Sequence, residues 1–213
     1  MSREAHVQFC ERLGVQLPGA THRNIYVASE RSGKRVMRSV TSFLRRRLKL
    51  KVNETKSAVA RPQERKFLGF SFTSGAKPKR RIAPKALLRC KQRVRELTQR
   101  TRGISLDQMT KELAIYLRGW KSYFSFCETP SVLRRLEEWM RRRLRSMIWK
   151  QWKRGRVRFE KLRQRNIGAD LARQTAGSPH GPWRISDSPA LQRALSVAYF
   201  DSLGLPRLSD VLA

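Results

Sequence analysis

Residues 129–154 read TPSVLRRLEEWMRRRLRSMIWKQWKR, and the fold class turns on them. Apolar side chains recur at Val132, Leu133, Leu136, Met140, Leu144, Met147, Ile148 and Trp152, the spacing of one buried stripe on a helix. Thr129 stands where an N-cap is expected, and Pro130 suits the first helical position, where its missing N–H costs nothing. The other positions carry Arg134, Arg135, Arg141, Arg142 and Arg145, with Lys150 and Lys153 slightly rotated, which predicts an outer basic face. Such a helix is held by neighbours on one side and offers cations to a polyanion on the other. Trp120, Tyr123, Phe124, Trp139 and Trp152 fall among leucines and are expected in the core, whereas Trp149 falls nearer the basic face.

Working outward, Pro84 opens a helix with Leu87, Leu88, Val94 and Leu97 on one side. Ser105 and Gln108 match a capping box, with Ile104 and Met109 placed as a hydrophobic staple, and that helix buries Leu113, Tyr116, Leu117 and Trp120. Past Gly155 the pattern weakens to a short helical run over residues 159–165, a loop in which Trp183 pins Gly181-Pro182 onto the helices, and a last helix from Ser188-Pro189 to Gly204. Upstream, residues 24–27 read as a strand and residues 33–48 as a helix with Val36, Val40, Phe43, Leu44 and Leu48 on one side. Two strand-like segments follow, residues 50–59 and 66–73, then a basic connector holding Lys77, Lys79, Arg80 and Arg81. The first 23 residues show weak periodicity and a turn cluster at residues 17–20, and no element is assigned to them. The expected class is α+β: an unassigned leader over 1–23, a small β-α-β-β unit over 24–75, a basic linker over 76–83 and a mostly helical domain over 84–208.

Charge narrows the partner. The chain has 48 Lys plus Arg against 16 Asp plus Glu, a net charge of +32. Self-repulsion of that size penalises the compact state unless a polyanion neutralises it, which points to nucleic acid. Cys10, Cys90 and Cys127 are scattered without paired spacing, as in a reducing compartment, and no zinc site is expected. With no long apolar run and no signal-peptide pattern, the expected location is cytoplasmic, away from membranes. His6, His22 and His180 are isolated, so no nucleophile–base pair is expected. Glu137 and Glu138 are adjacent, point in different directions, and are expected to pair with arginines one turn away.

Several segments, in order, resemble group II intron reverse transcriptase/maturases of bacteria. Residues 24–27, Asn53-Glu54-Thr55-Lys56-Ser57 and Lys66-Phe67-Leu68-Gly69-Phe70 resemble their late palm motifs. Residues 117–126 and 139–153 resemble their thumb, or maturase-specific, domain, and Gly181-Pro182-Trp183-Arg184 with the final helix fits the C-terminal part. The resemblance implies a partial palm before the helical domain, that is, the C-terminal part of such a protein. It implies binding to group II intron RNA or an RNA/DNA duplex and assistance with splicing. Lys56 matches the basic residue near the incoming triphosphate, and Phe67, Leu68, Gly69 and Phe70 match the hairpin beside the primer terminus.

One departure matters. Where the family has Tyr-Ala-Asp-Asp, this chain has Ala20-Thr21-His22-Arg23, and its first aspartate is Asp107. Two-metal phosphoryl transfer needs carboxylates that hold ions about 3.5–4 Å apart. The intact enzymes use Mg; for this chain no cofactor, no metal site and no catalytic residue are expected, and it should not polymerise alone. Lys56 then reads as a solvated lysine and the palm remnant as a platform. Nucleic-acid contacts are expected from Arg134, Arg135, Arg141, Arg142, Arg145, Trp149, Lys150 and Lys153, with Lys79, Arg80 and Arg81 on the connector. The alternatives are a split polymerase that needs a separate N-terminal half bearing the aspartates, a general basic nucleic-acid-binding module, and a non-functional gene remnant. The family's zinc-bound nuclease signature is not found, so no nuclease chemistry is expected.

Overall fold

A computed structural model describes residues 5–12, 22–75 and 77–211. They form two compact units, Met1–Ala83 and Pro84–Ala213.

The first unit is built on strand β1 (Ala5–Arg12), antiparallel to β2 (His22–Val27) on one edge. Its other edge pairs with the short β3 (Lys51–Val52) and β4 (Ala58–Ala60). β1 supplies an element within the leader to which none was assigned. Ala5, Val7 and Phe9 alternate with His6, Gln8 and Cys10, a two-residue period too short to stand out until β2 and β4 supply partners. The turn cluster expected at residues 17–20 lies outside the described residues.

Helix α1 (Glu30–Arg46) starts three residues earlier than expected, because the Ser29 hydroxyl accepts from the Ser32 N–H at 3.2 Å and so caps it. Of its apolar stripe only Leu44 is fully buried, and Phe43 is exposed. The strand expected over 50–59 is interrupted by a turn in which Asn53 O accepts from the Ser57 N–H at 3.0 Å and Asn53 Oδ1 from the Lys56 N–H at 3.2 Å.

The segment 66–73 also differs from a plain strand. Leu68 and Gly69 both have positive φ, +48° and +81°, and Phe67 and Phe70 exchange hydrogen bonds of 2.9 and 2.8 Å. That is a two-residue hairpin turn of the kind whose twist matches its strands. It leads into β5 (Phe70–Phe72), which pairs with β6 (Arg80–Ile82). Arg80 and Arg81 therefore lie in a strand, not a linker: Ile82 is buried and Arg81 Nε donates to Ser71 Oγ at 3.1 Å.

The second unit is helical: α2 (Pro84–Leu97), α3 (Leu106–Tyr123), α4 (Pro130–Gln151), α5 (Gly155–Arg163), α6 (Ala169–Ala176), α7 (Pro182–Ile185), α8 (Pro189–Ala194) and α9 (Val197–Ser202). Its core holds Val94, Leu113, Leu117, Leu133, Leu136, Met140, Leu144, Ile148, Leu162, Leu191 and Phe200. Burying such a side chain is worth roughly 1.5–3 kcal/mol, which outweighs the modest propensity of an arginine-rich helix.

Local signals hold with three adjustments. Ser105 Oγ accepts from the Gln108 N–H at 3.1 Å, but the Gln108 amide turns to Glu112 at 3.0 Å and leaves the box half made. Thr129 sits at the N-cap of α4 without a side-chain cap bond, its hydroxyl lying 3.3 Å from Cys127 Sγ, while Pro130 takes the first helical position. The last expected helix is two, since Ser188 and Ser196 each cap a short helix and Leu195 breaks the run between them. α6 was not foreseen; eight residues hold too few turns for a clear period.

Candidate nucleic-acid interface

The arginines of α4 divide by position along the helix. Arg134 and Arg135, in its first half, are exposed, as are Lys150 and Lys153 at its end. Among the described residues no carboxylate lies within ion-pair distance of these four. They are free to meet a polyanion.

The second half differs from the expected outer face. Arg145 is only 9% exposed, with Nε donating to Leu195 O at 3.0 Å. Burial pushes its pKa down, Arg141 pushes the same way, and Asp187 opposes them. Trp149 is buried at 1% exposure, its ring centroid 6.0 Å from that of Trp152 and the Arg158 guanidinium 4.6 Å above it.

Arg142 reaches Asp187 at 3.3 Å, donates to Trp183 O at 3.3 Å, and stacks 4.6 Å from the Trp183 ring centroid. Trp183 thus fastens its loop to α4 as expected. Arg141 pairs with Glu137 at 3.3 Å, one turn away as expected. Glu137 does more: its carboxylate accepts from the Leu208 and Ser209 N–H groups, the latter at 2.7 Å, and so caps the 3-10 turn Ser209–Val211.

For the arginines these differences share one cause. The chain after Gly181 returns over α4, with α7 at Arg142 and the final turn at Glu137, and covers an arc that a single-stripe reading leaves open. Arg142 and Arg145 bond that return directly and Arg141 pairs with the Glu137 that caps its last turn, whereas Trp149 is covered by Trp152 and by Arg158 of α5. Of the aromatics expected in the core, Trp120, Phe124 and Trp152 are buried, whereas Tyr123 is 53% exposed.

Trp139 lies between. It is half-buried, with Lys91 Nζ 5.3 Å and the Arg95 guanidinium 5.4 Å from its ring centroid. Arg143, one turn along, donates through Nε to Thr98 Oγ1 at 2.6 Å and through Nη2 to Arg95 O at 3.3 Å. Burial lowers the Arg143 pKa, and the Arg95 charge lowers it further. The sequence reading did not single out Lys91, Arg95 or Arg143. Their signal was the spacing Lys91–Arg95 on α2 against Arg135–Trp139–Arg143 on α4, all at i, i+4.

In the first unit, Lys56 is exposed on the Asn53 turn. Lys79 is also exposed, its N–H donating to Thr73 Oγ1 at 2.9 Å, and Arg80 points to solvent from β6. A depression of about 480 Å³ lined by Arg45, Lys51, Val52, Asn53, Glu54 and Thr55 lies beside that turn, with Arg45 paired to Glu54.

Residues 87–166 match the family model of the group II intron maturase-specific domain. The chain carries a maturase-specific domain. No curated protein matches the chain significantly. The matched stretch runs from α2 through α5, so the exposed cations of α4 and the Trp139 cluster lie inside the maturase-specific domain, while the covering segment from Gly181 onward lies beyond the match. Among the described residues no helix is long and apolar enough to cross a membrane.

Proposed function

We propose that this chain binds structured group II intron RNA through its maturase-specific domain and assists the intron's splicing. The observation that carries the proposal is the placement of unpaired, exposed cations, Arg134, Arg135, Lys150 and Lys153, within the matched stretch of a chain of net charge +32. Arginine forks bind phosphate oxygens bidentately, and lysines add compact point charges. Arg134, Arg135 and Lys150 stand on a helix whose other side is locked into the core, and Lys153 follows two residues beyond its end, so binding needs little reordering. Arg141, Arg142 and Arg145, each bonded within the fold, contribute position instead, by keeping α4 fixed against the C-terminal segment.

The test is binding of the full chain to a group II intron RNA and to an unrelated RNA of equal length across a salt series. Affinity should fall steeply with salt, each neutralised phosphate contributing a slope of about −0.7 to −0.9, and preference for the intron should persist near physiological salt. A flat salt dependence overturns RNA binding. Equal affinity for both RNAs overturns the intron assignment and favours a general basic module.

A further inference from the structure

We infer that Lys91, Arg95 and Arg143, gathered around Trp139, form a preorganised seat for the phosphodiester backbone of RNA. This inference rests on the RNA-binding reading above and assigns it a place on α2 and α4 that the exposed cations of α4 do not include.

Charge comes first. Lys91 and Arg95 stand one turn apart on α2, both within 5.4 Å of the indole centroid of Trp139. Arg143 follows Trp139 by one turn on α4, and its side chain bonds the end of α2 through Thr98 Oγ1 and Arg95 O. Arg135 precedes Trp139 by one turn and is exposed. Among the described residues none of Lys91, Arg95 and Arg143 has a carboxylate within ion-pair distance; the nearby Glu96 is taken by Arg93 at 3.0 Å. Like charges are thus held together without internal compensation, and the Arg95 charge already works against that of Arg143. An anion arriving between the two helices relieves that repulsion.

Order comes second. A free lysine or arginine samples many rotamers and loses that freedom on binding. Here the Trp139 face holds Lys91 and Arg95 by cation–π attraction, and two hydrogen bonds fix Arg143. The indole therefore serves the cations, and its role is not base stacking. Cations repeating along two helices suit a ligand whose charges repeat along a chain, which a phosphodiester backbone provides.

The full chain carrying Lys91→Gln and Arg95→Gln should be compared with wild type and with Arg184→Gln/Arg193→Gln. The latter removes the same formal charge from exposed residues outside the matched stretch. With a group II intron RNA as probe, the first variant should show a log–log salt slope shallower than wild type by about 1.5, from two lost phosphate contacts, and the control should keep the wild-type slope. Equal slopes for the two variants overturn the seat while leaving RNA binding intact. Wild-type binding without salt dependence overturns both readings. Arg143→Lys keeps the charge and loses the fork to Thr98 and Arg95, so it should weaken binding with little change of slope. Affinity equal to wild type in that variant overturns the preorganised geometry. If polyglutamate of equal charge displaces the RNA from wild type and from the double variant equally well, the seat is not selective for phosphate and the assignment fails.

Discussion

Arg135 and Arg145 stand ten residues apart on one helix, carry the same guanidinium, and meet opposite surroundings. Arg135 lies open to solvent, whereas Arg145 is buried with its Nε committed to the Leu195 carbonyl. Around Arg135 only one side of α4 is covered. Around Arg145 the chain has returned from α7 onward and covers the other side as well. An arginine-rich helix is therefore not one surface. Arg134, Arg135 and Lys150 stand outward, while Arg142 and Arg145 between them hold the segment that returns from α7 onward.

The strongest way to break that division is Glu137→Ala. This carboxylate is buried, pairs with Arg141 and accepts the Leu208 and Ser209 N–H groups, so its loss leaves a cation and two donors uncompensated. Chemical denaturation should show a loss of about 3–5 kcal/mol, the usual cost of breaking a buried pair. Next is the combined change of Arg141, Arg142 and Arg145 to Gln. On a one-sided helix it would lower RNA affinity and leave folding untouched. With the second half covered, it should instead lower the thermal midpoint by several degrees and raise protease sensitivity after Gly181. An unchanged midpoint would restore these residues to the outer face.

Arg145→Met sharpens the point. It keeps much of the volume and strands the Leu195 carbonyl, for an expected cost of about 1–3 kcal/mol by urea unfolding. Arg142→Ala removes a half-exposed pair with Asp187 and the stacking on Trp183, and should cost about 1 kcal/mol or less. Smallest in stability is Arg134→Gln with Arg135→Gln. No measurable change in midpoint is expected, with a weaker and less salt-dependent grip on RNA as its only signature. A stability loss there as large as that of Arg145→Met would erase the contrast between the two halves.

Much of the architecture was legible residue by residue. The stripe of Leu133, Leu136, Met140, Leu144 and Ile148 is buried as its spacing requires, and Pro84, Ser105 and Pro130 mark helix starts where expected. Boundaries failed where a competing local bond was available. Ser29 moved the start of α1 from Gly33, and Asn53 cut one expected strand into two. β1 was missed because an eight-residue alternation carries little signal before its neighbours are known. In the candidate site, Arg134, Arg135, Lys150 and Lys153 stand exposed as the helical period implies. Arg145 and Trp149 were misplaced because the helical period records which residues share a face and not how many faces are covered.

Charge, the capped and proline-started helices and the buried stripe of α4 were determined by the sequence itself, because each depends on neighbours within a few turns. Which arginines stay available, and that Trp139 gathers Lys91, Arg95 and Arg143 around it, was decided only by the tertiary structure. Exposure is set by whatever packs alongside, and for α4 that is α2, whose Arg95 lies 44 residues before Trp139, and the segment returning 40 residues and more after Met140.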